Sequence, residues 1–190
     1  MKTVWRPALV LFALLTLLTG IVYPLAITGI SQLVFPDEAS GSLIVRDGHI
    51  IGSRLIGQAF SAPRYFWSRP SATTPQPYNA LSSGGSNLGP LNPALTAAVK
   101  ARIAQLRAAD PGNNASVPVD LVTASASGLD PDISLAAAEY QAARVARLRQ
   151  LPLERVRALI DAHAKGPLWG FLGAPRVNVL ELNLALDGLK

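Results

Sequence analysis

No residue from Pro7 through Phe35 carries a charge, and nothing else in the chain constrains its architecture as strongly. Lys2 and Arg6 precede the run, and Asp37 and Glu38 follow it. The hydrocarbon core of a bilayer takes about 20 apolar residues as helix, and the window 9–27 holds twelve Leu, Ile, Val or Phe residues. At about 0.3–0.6 kcal/mol each they favour insertion by roughly 4–7 kcal/mol before penalties. Thr16, Thr19, Gly20 and Pro24 reduce that sum without reversing its sign. A cleaved secretory signal has an apolar core of only about 7–15 residues. This run is longer, and the small triplet Ala39-Ser40-Gly41 lies too far downstream to be its cleavage site. Residues 1–35 are therefore predicted to be a membrane anchor, bent near its outer end where Pro24 removes a backbone donor and crowds the preceding turn.

Basic flanks stay on the cytoplasmic side, whereas acidic residues contribute little to orientation. Two basic side chains precede the span and none follows it until Arg46. The expected topology is single-pass, with the amino terminus cytoplasmic and residues 36–190 outside. The expected fold class is α+β: one amino-terminal transmembrane helix followed by one small mixed α/β extracytoplasmic domain.

About 150 residues are enough for one modest core. With no cysteine, that core has neither disulfides nor thiolate metal sites, and a Cys nucleophile is excluded. Without Lys2 and Arg6 the domain carries 15 basic against 12 acidic residues. The excess is mild and dispersed, so no nucleic-acid partner is expected.

Two apolar-rich runs, 42–46 and 49–53, are joined by Asp47-Gly48, which suits a type I′ hairpin turn with positive φ at both positions. Phe60, Tyr65, Phe66 and Trp67 precede Ser68-Arg69-Pro70-Ser71. This cluster reads either as core under a loop or as a docking surface, since aromatics and Arg are enriched at interface hot spots. The Pro-, Gly-, Ser- and Asn-rich stretch 73–93 reads as a long loop.

A helix is expected after Asn92 as N-cap with Pro93 at its first position, carrying Leu95, Val99, Ile103 and Leu106 on one face and stopping at Asp110-Pro111-Gly112. Residues 117–122 read as a short extended run, with Pro118 marking an edge or a strand start. A second helix is expected from Ser134, with Leu135, Ala138, Ala142, Val145 and Leu148 on one face. A third follows Leu151-Pro152 with Val156, Leu159 and Ile160 inward. Arg144, Arg147, Arg149, Arg155 and Arg157 read as solvated faces. The tail 177–189 fits strand or helix; Asn178 with Glu181 three residues on is a capping pair that favours helix.

Two segments carry the polar chemistry. Ser83-Gly84-Gly85-Ser86-Asn87 offers amides and hydroxyls able to cradle a phosphate, although no Walker-type Gly-x-x-x-x-Gly-Lys-Ser/Thr is present. Residues 123–130 are also small and polar, but a serine hydrolase needs an activating base. The two histidines are His49, beside the hairpin turn, and His163, near a helix end; no Gly-x-Ser-x-Gly elbow exists. Asp130 and Asp132 around Pro131 read as turn and capping residues.

A set of longer words runs the length of the chain: Gly20 and Tyr23-Pro24 in the span, Gly41-Ser42-Leu43-Ile44, Gly52-Ser53 with Leu55-Ile56-Gly57-Gln58, and Arg69-Pro70-Ser71-Ala72. Tyr78-Asn79, Ser83-Gly84-Gly85-Ser86-Asn87-Leu88 and Asn92-Pro93 follow, then Val117-Pro118 to Asp130-Pro131 and the tail from Pro175 to Asp187. In this order and at these spacings the chain resembles the C subunit of the Kdp potassium-transporting P-type ATPase of bacteria and archaea. The resemblance implies an accessory, chaperone-like subunit of the bacterial inner membrane that raises the ATP affinity of a partner in a potassium uptake complex. Its partners would be a channel-like potassium-binding subunit, a P-type ATPase subunit, a small single-span subunit and membrane lipid, with potassium the transported ion. It also implies an alternative, a nucleotide-binding regulator touching ATP through Ser83, Gly84, Gly85, Ser86 and Asn87. The Asp-Lys-Thr-Gly phosphorylation motif of P-type pumps is absent, so the resemblance implies a non-catalytic chain. The flanking charges place residues 83–87 outside, away from ATP.

Overall fold

The structure is a computed structural model and describes residues 4–189. The chain divides into two compact units, Met1–Ile51 and Gly52–Lys190.

The first unit opens with one apolar helical stretch, Trp5–Val34, whose central window is entirely unburied. At about 1.5 Å per residue it is long enough to cross a bilayer. Arg6 lies within it; Lys2, the other basic flank, lies outside the described residues. The stretch comprises α1 (Trp5–Leu17), a π-helical turn (Leu18–Val22) and α2 (Tyr23–Val34). The π-helical turn immediately precedes Pro24, where a bend is expected: proline has no N–H for the carbonyl four residues back, and the preceding Tyr23 N–H bonds to Leu18 O, five back. The helix ends at Phe35, before Pro36. After the short α3 (Pro36–Ala39), β1 (Leu43–Arg46) and β2 (His49–Ser53) form a two-stranded sheet. Asp47 at φ 51° and Gly48 at φ 78° make the expected hairpin turn.

In the second unit a three-stranded antiparallel sheet, order β3-β5-β4, is built from β3 (Asp132–Ser134), β4 (Ala164–Lys165) and β5 (Arg176–Asn178). Ile133 and Ala164 both pair with Val177. The helices are α4 (Pro93–Ala109), α5 (Leu135–Arg149), α6 (Leu153–His163) and α7 (Val179–Asp187). Two of them begin at the residues expected to cap them, and a third is capped by the residue at its expected start: Asn92 accepts from Ala94 N, Asn178 from Glu181 N and Ser134 from Ala137 N. α5 closes on Gln150 in the left-handed region, with Leu151 N bonded back to Ala146 O, which turns the chain into α6. The core joins Phe66, Leu121, Ile133, Val145, Val156, Ile160, Val177, Leu182 and Leu186.

The tail is helix from Val179 onward, since Val179, Leu182 and Leu186 are buried at helical spacing. Three expectations fail. Residues 117–122 are no strand: Val119–Leu121 is one 3-10 turn. Leu121 fills the core there, and the Asp120 carboxylate accepts from Ser134 N (2.7 Å) and Oγ (3.1 Å), bonds that a turn aims correctly. Leu148 lies on the exposed side of α5. Arg144 is 2% exposed rather than solvated, and the Arg149 side chain is nearly covered and paired to Asp187 at 2.7 Å. Of the two readings of the aromatic cluster, core under a loop holds for Phe66 and Trp67, which are buried.

Candidate functional site

The loops between β2 and α5 carry the polar residues singled out in the sequence, and the fold interlocks them. Ser71 Oγ donates to Gly128 O (2.7 Å) and accepts from Tyr78 N (2.9 Å). Thr73 Oγ1 donates to Gln76 O (2.7 Å) and accepts from Asn79 N (3.0 Å). Tyr78 Oη donates to Arg69 O at 2.6 Å, and burial raises its phenol pKa. Gly57 donates to Leu129 O at 2.9 Å, and a Cβ on it would stand 2.7 Å from Asp130 O and clash with the edge of the Tyr78 ring. Glycine is required there for close packing.

Residues 83–87 lie on this base. Ser83 Oγ (3.0 Å) and Gly84 N (2.9 Å) both donate to Ser127 O, so the two polar segments are brought together. A Cβ on Gly85 would come within 3.0 Å of Ala126 O. Gly128, at φ +67°, has Gly84 O and Thr73 Cγ2 each 2.6 Å from where its Cβ would be. Gly85 and Gly128 therefore serve close loop-to-loop approach. The amide of Gly84 is already bonded within the chain, which removes it from a phosphate cradle. Ser86 and Asn87 point to solvent, Asn87 at φ 51°. Among the described residues the amides of Gly85, Ser86 and Asn87 have no hydrogen-bond partner.

Beside this base a groove of ≈ 580 Å³ is lined by Leu55, Arg69, Ser125, Ser127 and Asp130. Another, of ≈ 510 Å³, holds Arg69, Asp120, Asp130, Asp132 and Arg176. Two ion pairs lie in it, Arg69 Nη1 to Asp130 Oδ2 at 2.8 Å and Arg176 Nε to Asp132 Oδ2 at 2.9 Å, while the Asp120 carboxylate is bonded to Ser134. Asp130 Oδ1 also accepts from Asp132 N at 3.0 Å, so the turn role expected of Asp130 holds and an ion-pair role is added. Burial, then the Asp130 charge, raises the Asp132 pKa against the lowering effect of Arg176.

Neither histidine is placed to activate a serine. His163 Nδ1 is 2.9 Å from Leu159 O, in its own helix, and His49 lies in the hairpin of residues 43–53. Among the described residues no group of three or more His, Cys, Asp or Glu side chains could hold a metal.

Sequence reasoning passed over the polar groups that hold the centre of this unit. Gln141 Oε1 accepts from Trp67 N (2.8 Å) and its Nε2 donates to Trp67 O (3.1 Å). Asn183 pairs in the same way with Phe66 N (2.9 Å) and O (3.0 Å). The guanidinium groups of Arg102 (5.2 Å) and Arg144 (4.9 Å) both lie over the Trp67 ring. Arg144 also donates to Pro63 O, Tyr65 O and Gln141 Oε1, and burial pulls its pKa down to about 10, so it stays charged at neutral pH. The signal was helical register: Gln141 and Arg144 share the face of Ala137 and Val145, and Asn183 lies beside Leu182 and Leu186.

Against known proteins, the family model described as "KdpC: K+-transporting ATPase, c chain" matches residues 5–188. A potassium-transporting ATPase KdpC subunit of Variovorax paradoxus (strain S110) is 71% identical over 187 residues, covering 98% of this chain and 97% of that protein. The subunit of Polaromonas naphthalenivorans (strain CJ2) is 70% identical over 190 residues, covering 100% and 97%. That of Methylococcus capsulatus (strain ATCC 33009 / NCIMB 11132 / Bath) is 62% identical over 186 residues, covering 98% of each.

Proposed function

This chain belongs to the KdpC family, the c chains of K+-transporting ATPases, and from that membership we propose that it is the accessory, non-catalytic subunit that assists and stabilises the assembled potassium pump. The observation that carries the reading is the Trp5–Val34 helix, apolar and without internal burial. Such a surface needs lipid or other membrane segments against it. Residues 1–35 are the anchor and residues 36–190 the domain, in a bacterial inner membrane. The partners carried over from the family resemblance are a channel-like potassium-binding subunit, a P-type ATPase subunit and a small single-span subunit. The basic residues ahead of the span support an amino terminus inside and a domain outside. An effect on the ATPase subunit's affinity for ATP is then transmitted through the assembled membrane segments.

A reporter fused after Lys190 tests this orientation: it should be active only outside the cytoplasm, and cytoplasmic activity overturns the reading. The second reading is direct ATP contact by Ser83, Gly84, Gly85, Ser86 and Asn87, favoured by the three amides of residues 85–87 that lack partners among the described residues. It expects Ser86→Ala or Gly84→Val to weaken the ATP dependence of an intact complex. Unchanged dependence removes it.

A further inference from the structure

Between β4 and β5 the chain projects an uncharged tip, Gly166-Pro167-Leu168-Trp169-Gly170-Phe171-Leu172-Gly173-Ala174-Pro175. Leu168 is 58% exposed, Trp169 77%, Phe171 73% and Leu172 46%. The tip is a tight hairpin: Leu168 and Leu172 exchange both backbone hydrogen bonds at 2.9 Å, and Trp169 (φ 53°) and Gly170 (φ 82°) turn the chain. A turn of this kind is ordinarily built from Asn, Asp or Gly. A bulky residue in the left-handed region is an outlier, of the sort kept where a site needs it. Here the strained position holds the largest apolar side chain of the set outward, with the Phe171 ring 6.4 Å away.

We propose that this tip seats in the lipid–water interface of the bilayer that holds the chain's own span, an inference that rests on the anchor reading above. Trp, Phe and Leu together are what the headgroup boundary takes up, and the span tethers every copy of the tip covalently to a membrane. The flanking cations do not select acidic headgroups: Lys165 is paired to Glu181 at 3.2 Å and Arg176 to Asp132 at 2.9 Å. The interface involved is therefore a neutral one, reached by apolar partition.

The chain has no cysteine, so single labels report unambiguously. Phe171→Cys, Leu14→Cys in the span and Leu81→Cys in the polar loop each carry a nitroxide in the full chain, reconstituted into phosphatidylcholine vesicles. Collision rates with oxygen and with a water-soluble nickel chelate are then compared. The Phe171 label should share the high oxygen-to-nickel ratio of Leu14, several-fold above that of Leu81, a 97% exposed site. A Phe171 label that follows Leu81 while Leu14 reads lipid overturns the proposal and leaves the anchor standing. Protection that arises only when the partner subunits are present also overturns it, since a protein surface then covers the tip. A Leu14 label open to nickel removes the anchor and this inference with it.

Discussion

Asn183→Leu should be among the most damaging single changes in the second unit, although the two side chains are similar in size. The Asn183 carboxamide is 2% exposed and spends both its ends on Phe66: it accepts from the backbone N–H at 2.9 Å and donates to the carbonyl at 3.0 Å. Gln141 does the same for Trp67. Residues 66–67 are thus paired as in a sheet, but by side chains of α7 and α5. Leucine fills the space and offers neither donor nor acceptor, leaving two buried backbone groups unmatched at about 1–3 kcal/mol each. The expected loss is about 2–6 kcal/mol, which in a chain of this size lowers Tm by roughly 5–20 °C. The check is thermal unfolding of the full chain in detergent micelles, followed by near-ultraviolet circular dichroism and by the fluorescence of its three tryptophans, of which Trp67 is the buried one. A Tm within about 2 °C of the parent would refute the premise that these amides replace a missing strand.

Arg144→Met removes donors to Tyr65 O and Gln141 Oε1 and the cation over Trp67; it should cost roughly 3–5 kcal/mol in denaturant unfolding, while Arg157→Met, on an exposed pair, should cost under about 1. Gly128→Ala forces a Cβ against Gly84 O and Thr73 Cγ2 at positive φ and should cost roughly 2–5 kcal/mol. Gly84→Ala, with no heavy atom within 4 Å, should stay within about 0.5 kcal/mol in the same urea titration. Asp132 has a folded-state pKa above its ordinary 3.8, set by burial and Asp130 and opposed by Arg176 and Lys165. The folded state then holds its proton longer than the unfolded one, so this group's contribution is fully present below 3.8 and fades as pH rises through the raised pKa. Asp132→Asn should flatten that fall; an unchanged slope of unfolding midpoint against pH contradicts the assignment.

The features legible in the sequence were those set by near neighbours along the chain. The span follows from an uninterrupted apolar run, the hairpin turn from Asp47-Gly48, and three helix starts from cap residues two or three positions ahead of the amides they bind. The polar loops were also recognised, yet their role changed on folding, because Gly84 and Gly85 face Ser127 and Ala126 rather than an open cradle. The three-stranded sheet escaped notice since its strands are two or three residues long and carry no measurable period. Residues 117–122 looked extended from Pro118, but the bonds from Asp120 to Ser134 lie fourteen residues away and decide for a turn.

By itself the sequence determined that this chain has one stretch long and apolar enough to span a membrane, a mixed α/β unit after it and no cysteine chemistry, because hydrophobic runs, turn residues and caps act within a few residues. Only the tertiary structure decided what the polar side chains do. Arg144, Gln141 and Asn183 look soluble when read one at a time. They are buried because the segment at Phe66 and Trp67 passes between helices more than seventy residues further on, and its backbone groups must be paired there. The same long-range closure left Trp169 and Phe171 outside the core, turning two residues that composition alone would bury into the most exposed aromatics of the second unit.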